Sequence, residues 1–322
     1  IGNAMALGTG TLTLNNSSVA YEIPNPTIEN LSGDSDSSIA LTTSQTLTLD
    51  SGSGAVTEFG GVIIGDVTNP LVKTGPGVQI LDGADTYGGG TTISAGTLTA
   101  NGSQAFGTGA VTVDSGATIA TADGVTLTNA VTLAMGSTIG GNGAFDPMGG
   151  VTIPSGVAVR PFDGVTQAGA ATLSFGSTLT FGPGGSYDFA VETASGPAGI
   201  GYSTIDVAGA FTVASSPGSP FTIDVSSLAP TSHAAGLANF NAMQSYAWTI
   251  LSAASISGFS ASDFAINASA FQNGTSGGSF SLLQSGNTLT LDFNPVPEPS
   301  TWALIGVGAF LVGLAVRRRV RA

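Results

Sequence analysis

The stretches "TTISAGTLT" (residues 91–99), "VTVDSGATI" (111–119), "VTLAMGSTI" (131–139), "VTIPSGVAV" (151–159) and "ATLSFGSTL" (171–179) succeed one another at a constant spacing of 20 residues. Thr92, Thr112, Thr132, Thr152 and Thr172 share one phase of this period. Apolar Ile93, Val113, Leu133, Ile153 and Leu173 follow them, and Gly96, Gly116, Gly136, Gly156 and Gly176 occupy a third phase. A threonine beside an apolar residue puts one side chain outward and one inward on a pleated strand. Glycine three positions later permits the positive φ or close approach of a tight corner. A second short strand then ends on Ile119, Ile139, Val159 or Leu179. One such unit buries little alone, whereas stacked units share a continuous core and pair one another's backbone, so the period predicts a β-solenoid. Five coils at about 4.8 Å each make a rod section roughly 24 Å long. An antiparallel sandwich with evenly spaced hairpins is the competing arrangement.

The composition agrees with an all-β chain. Of 322 residues 48 are glycine, only 8% are charged and 42% are hydrophobic, which suits many short strands and turns and excludes a disordered polyelectrolyte. Cysteine is absent, so disulfides, a thiolate nucleophile and cysteine-held metals are excluded. Residues 1–299 hold all 20 acidic side chains but only Lys73 and Arg160 as bases. Such a surface repels phosphate backbones, and nucleic acid is not expected as a partner. Anionic polysaccharide is disfavoured too, unless divalent cations bridge. The chain opens at Ile1 with "GTGTLTL" (8–14) already reading as a strand, so a secretion signal is missing or lies upstream.

The segment "PLVKTGPGVQILDGADTYGGGTTISAGTLTANG" (70–102) resembles the autotransporter-associated β-strand repeat, through Lys73, Gly75, the Gly83-Ala84-Asp85-Thr86-Tyr87 corner, Gly89 to Thr92 and Gly96-Thr97-Leu98. Asp85 stands where the repeat more often has Asn. The resemblance implies a secreted or surface-exposed β-helical passenger. After residue 184 the register loosens, although "STIDVAG", "PFTIDVSSL", "YAWTIL" and "NTLTLDFNP" still alternate as strands. The Ala, Leu and Met content of "HAAGLANFNAMQ" (233–244) is compatible with one short helix. The expected organisation is a solenoid over 1–184, a β-rich module or cap over 185–294, and a terminal tail over 295–322.

That tail, "VPEPSTWALIGVGAFLVGLAVRRRVRA" (296–322), begins with prolines that lack a backbone donor and favour extended chain. Residues 302–316 are uncharged and as a helix span about 22 Å, short for a bilayer core of about 30 Å. Trp302 suits one interface and Arg317, Arg318, Arg319 and Arg321 the other, which would orient a transmembrane helix with everything before Pro295 outside the cytoplasm. Val296, Pro297, Glu298 and Pro299, the apolar span and the arginine run together resemble the PEP-CTERM sorting signal of exported bacterial proteins. The resemblance implies an exosortase-type membrane protease as partner, a transient membrane anchor, and delivery to the cell surface or extracellular matrix, often alongside exopolysaccharide.

Catalytic patterns are sparse. His233 is the single histidine, no Gly-x-Ser-x-Gly elbow precedes a helix, and neither a histidine zinc site nor a phosphate loop is encoded. No catalytic residue, metal ligand or cofactor is expected. A polysaccharide lyase or hydrolase would have to use Arg160 with calcium on acids such as Asp146 and Asp163, or paired carboxylates. "GDSDSS" (33–38) offers a weak calcium loop at most, and reads better as a solvated turn. The leading expectation is a non-catalytic structural or adhesive surface rod. The alternatives are a lyase or hydrolase and a carbohydrate-binding β-helix protein.

Overall fold

The computed structural model describes residues 11–162 and 169–296. Within them the chain winds through successive coils of short strands that pair in parallel, coil upon coil. The first face stacks Leu47–Asp50, Leu71–Thr74, Thr91–Ile93, Val111–Val113 and Val131–Leu133. The second stacks Val56–Phe59, Val78–Leu81, Thr97–Ala100, Thr118–Thr121, Thr138–Gly141 and Ala158–Arg160. It continues without a break into Ser186–Val191, Phe221–Ser227 and Phe264–Ala270. A third face is made by Ser18–Tyr21, Ser38–Leu41 and Val62–Ile64 at one end. Farther along it is made by Thr126–Leu127, Ala144–Phe145, Thr172–Phe175, Thr204–Val213 and Tyr246–Ser257. Strand Thr27–Gly33 pairs with both the first and second faces and so joins them into one sheet.

The period-two reading holds at the level of single residues. Thr92, Thr112 and Thr132 lie in register and face outward, while Ile93, Val113 and Leu133 line the inside. Leu98, Ile119, Ile139 and Val159 form the matching inner column of the second face, each fully buried. At the corner between these faces Gly96, Gly116, Gly136 and Gly156 all adopt positive φ, from 67° to 87°. The amides of Gly116 and Gly136 donate to the carbonyls of Gly136 and Gly156 at 3.0 and 2.8 Å. The corner is therefore a hydrogen-bonded column in its own right.

The fifth sequence copy departs from this stack. Thr172–Phe175 pairs with Ala144–Phe145 on the third face, and Val151–Ile153 pairs with Leu179–Phe181. The next glycine of the corner is Gly184, whose carbonyl accepts from Gly156 at 2.8 Å, and not Gly176. Leu179 correspondingly leaves the Ile119 column, where Tyr187 pairs with Val159. The cause is coil length. Register partners on the second face are 20 residues apart at Thr138 and Ala158, then 28 at Ser186, 36 at Thr222 and 43 at Ala265. Longer coils enclose a wider interior, and larger side chains fill it. Phe181 stacks on Phe221 at 3.9 Å and meets Phe211 edge-on, and Phe189, Tyr202 and Trp248 pack together beyond them.

The parallel stack ends in an antiparallel hairpin. Thr288–Asn294 pairs with Tyr246–Ser252 on one side and with Ser279–Ser285 on the other. The short helix compatible with residues 233–244 is not formed. His233 sits at φ +54°, and the backbone of this stretch is spent on neighbouring coils: Asn239 donates to Glu192 at 2.8 Å and accepts from Ala194 at 3.0 Å. The one helical turn among the described residues is the 3₁₀ segment Ala261–Asp263. No described helix is long and apolar enough to cross a membrane, and the expected membrane helix over 302–316 lies outside the described residues.

Candidate functional site

The interior of the rod consumes most of the polar groups that sequence patterns single out. Lys73 occupies an inner column between Leu49 and Ile93, fully buried. Its Nζ donates to the carbonyls of Thr74, Gly75 and Ala95 at 2.6, 2.9 and 3.2 Å, so one cation ties two coil corners together. Burial pushes its ammonium down to about 8, against the pull of Asp50. Gln79 donates from the next face to Leu31 and Ile80 at 3.1 and 3.0 Å. Asn129 and Asn69 satisfy turn carbonyls in the same way. Asp85 accepts from the Ile63 amide at 2.7 Å through Oδ1, while Oδ2 is buried with no hydrogen-bond partner. Burial pushes this carboxyl well above the usual range. Nearby Tyr87 is completely buried, with its hydroxyl 2.8 Å from Thr91 Oγ1.

The surface loop at 33–38 is a brace. Asp34 accepts from Ser37 Oγ at 2.6 Å and from the Asn16 amide at 2.9 and 3.0 Å, and these bonds hold its carboxyl below the usual range. Its oxygens are thus engaged by its own loop through Ser37 and by the neighbouring coil through Asn16. Among the described residues no group of three or more His, Asp or Glu is placed to hold a metal.

Arg160 and Asp146, the pair that a lyase reading would join, stand on different faces. Asp146 follows the third-face strand Ala144–Phe145, with its side chain against Gly176, and Asp163 lies outside the described residues. Arg160 instead pairs with Asp188, Nε and Nη2 both reaching Oδ2 at 2.8 and 2.7 Å. On the following coils come Asp224, which accepts from Asn267 Nδ2 at 2.7 Å, and Asn267 itself. Like charges on adjacent strands repel. Here Asp188 is answered by Arg160 and Asp224 by Asn267, one flanking each end. His233 is paired with the buried carboxylate of Glu192, and Gly169 packs against both. Sequence reasoning misses Asp188, Glu192, Asp224 and Asn267. Their partners lie 28 to 43 residues away and fall outside the period of 20.

Of the sorting residues only Val296 is described, half exposed just beyond the hairpin strand. Pro297, Glu298, Pro299, Trp302, Arg317, Arg318, Arg319 and Arg321 lie outside the described residues.

Comparison with known families assigns two parts of the chain. Residues 71–100 match the passenger-associated-transport-repeat, which spans the buried Lys73, Gln79, Asp85 and Tyr87. Residues 295–319 match the PEP-CTERM protein-sorting motif. The chain is also 35% identical over 85 residues to the adhesin BmaC autotransporter of Brucella suis biovar 1 (strain 1330). That likeness covers 24% of this chain and 2% of the relative's length. The chain thus carries a PEP-CTERM sorting motif and an autotransporter-type repeat on a β-solenoid, features of an exported protein of the cell surface or extracellular space.

Proposed function

We propose that this protein is a non-catalytic rod displayed outside a bacterial cell, where it serves as a structural or adhesive component of the surface or matrix. The carrying observation is the placement of polarity. Lys73, Gln79 and Asp85 of the repeat are spent inside the stack, and on the outside of the first face Thr92, Thr112 and Thr132 form a register of hydroxyls at strand spacing. Such a face makes many weak contacts in parallel, which is how repetitive surfaces gain avidity. The adhesin likeness supports the same reading over the part it covers. Residues 295–322 act as the sorting signal: an exosortase-type protease recognises Val296 to Pro299, while Trp302 and the four arginines orient a transient membrane anchor. Residues 185–294 serve as the closing cap of the solenoid, because parallel pairing runs across residue 185 and ends in the hairpin. Extracellular polysaccharide is the expected surrounding, and nucleic acid is not a partner.

Fractionation of the native host tests display. The chain is expected in the surface or matrix fraction and to be digested when intact cells are treated with protease, whereas a cytosolic pool would overturn the reading. Incubation with pectin, alginate, xylan and cellulose, with and without calcium, tests the absence of catalysis. Chain cleavage that disappears in Arg160→Ala would restore the lyase alternative.

A further inference from the structure

Among the described residues the basic side chains are Lys73, Arg160 and His233. Lys73 is buried, and the other two line one groove of about 450 Å³ on the second face. That volume lies within the range of small-ligand clefts, about 300–1,000 Å³. Its base is the outward column that runs from Arg160 through Asp188 to Asp224, and one wall is the excursion after Phe221–Ser227 that carries Leu228 and His233.

Arg160, His233 and Asp224 are each oriented yet incompletely used among the described residues. Arg160 gives Nε and one Nη to Asp188, and its remaining donors meet no other partner among the described residues, with its side chain 41% exposed. His233 commits Nδ1 to Glu192, which leaves Nε2 available on a side chain 43% exposed. Asp224 is fixed through Oδ1 by Asn267, leaving Oδ2. Beside these planar donors and acceptors lies an apolar surface made by Leu228 and by the Phe162 ring, which sits 5.6 Å from the guanidinium carbon.

Ligand classes can be weighed against that lining. An anion is opposed by Asp188, Asp224 and a net charge of −14. A metal cation lacks a donor set among the described residues. A purely apolar ligand would strand the exposed polar groups without water. A neutral polyhydroxyl ring meets all of them: vicinal hydroxyls match the guanidinium and carboxylate edges, and the C–H face of the ring lies on Phe162. We propose that this groove is a binding site for a neutral glycan segment. It goes beyond display of the rod, since it places one saturable site on a surface otherwise suited to diffuse contact.

The test is calorimetric titration of the full chain with cellohexaose, maltohexaose and mannohexaose, with trigalacturonate as the anionic comparator. Saturable one-site binding of at least one neutral hexaose is expected, weakened tenfold or more in both Phe162→Ala and Arg160→Gln. Val67→Ala, at an exposed turn outside both this groove and the first-face hydroxyl register, should leave affinity unchanged, and thermal melts verify that each variant is folded. No binding of any of the three neutral sugars, equal binding in the Phe162 and Arg160 variants, or binding of trigalacturonate alone would each overturn the assignment.

Discussion

The amide of Gly136 donates to the carbonyl of Gly156 at 2.8 Å, and both glycines hold positive φ, at 87° and 73°. The corner therefore needs glycine for its backbone angles and for its close packing, and two positions separate those demands. At Gly116 a Cβ would meet no atom within 4 Å, whereas at Gly96 it would fall 2.4 Å from the Gly77 carbonyl. Gly116→Ala should cost about 1–2 kcal/mol, the strain of a left-handed alanine. Gly96→Ala should cost distinctly more. Urea midpoints at unchanged slope measure both.

Asp85 supplies a pH signature. Its folded pKa is raised by burial, so the folded chain is favoured with this carboxyl protonated, and its contribution is lost as pH rises through the folded pKa. Asp85→Asn keeps an acceptor for the Ile63 amide and removes the buried charge. The variant should melt close to wild type in acid and above it at neutral pH, by about 1–3 kcal/mol. Melting curves at pH 4 and 8 check this; equal shifts at both would show that the carboxyl does not titrate with folding.

Lys73→Met preserves the aliphatic stem in its column but abandons three carbonyl acceptors, one at Thr74 at the end of its own strand, one at Gly75 in the turn that follows and one at Ala95 in the next coil. A loss of roughly 2–4 kcal/mol is expected from buried acceptors left unpaired. Denaturant titration of the variant measures it, and a change under 1 kcal/mol would show that water replaces the ammonium.

Processing of the tail is expected to end the mature chain between Pro297 and Ser300. The four arginines leave with it, and the formal charge moves from −14 to about −18. Intact-mass measurement on protein from its host decides this, since a mass that retains Trp302 to Ala322 refutes cleavage. Glu298→Ala should accumulate in the membrane fraction.

Legibility in the sequence followed coil length. Where coils are 20 residues long, Thr92, Thr112 and Thr132 and the corner glycines could be aligned by number, and the structure stacks them so. Gly176 kept the numerical phase but not the place, because the chain between Arg160 and Thr172 lengthens the coil and hands the corner to Gly184. The 233–244 segment has the composition of a helix, but composition does not report that Asn239 is claimed by Glu192 and Ala194 on another coil. The groove was hidden for the same reason. Phe162, Asp188 and Asp224 belong to coils of three different lengths, and no single period brings them together.

The terminal hairpin also determines how the rod answers a pull. Any tension through the tail enters at Asn294, the end of a strand that is zipped on both sides, to Tyr246–Ser252 and to Ser279–Ser285. Freeing that strand means breaking two ladders together, where an edge strand would release by breaking one. The end nearest the tail is thus held against its own tether as an interior strand is held, by two ladders rather than one.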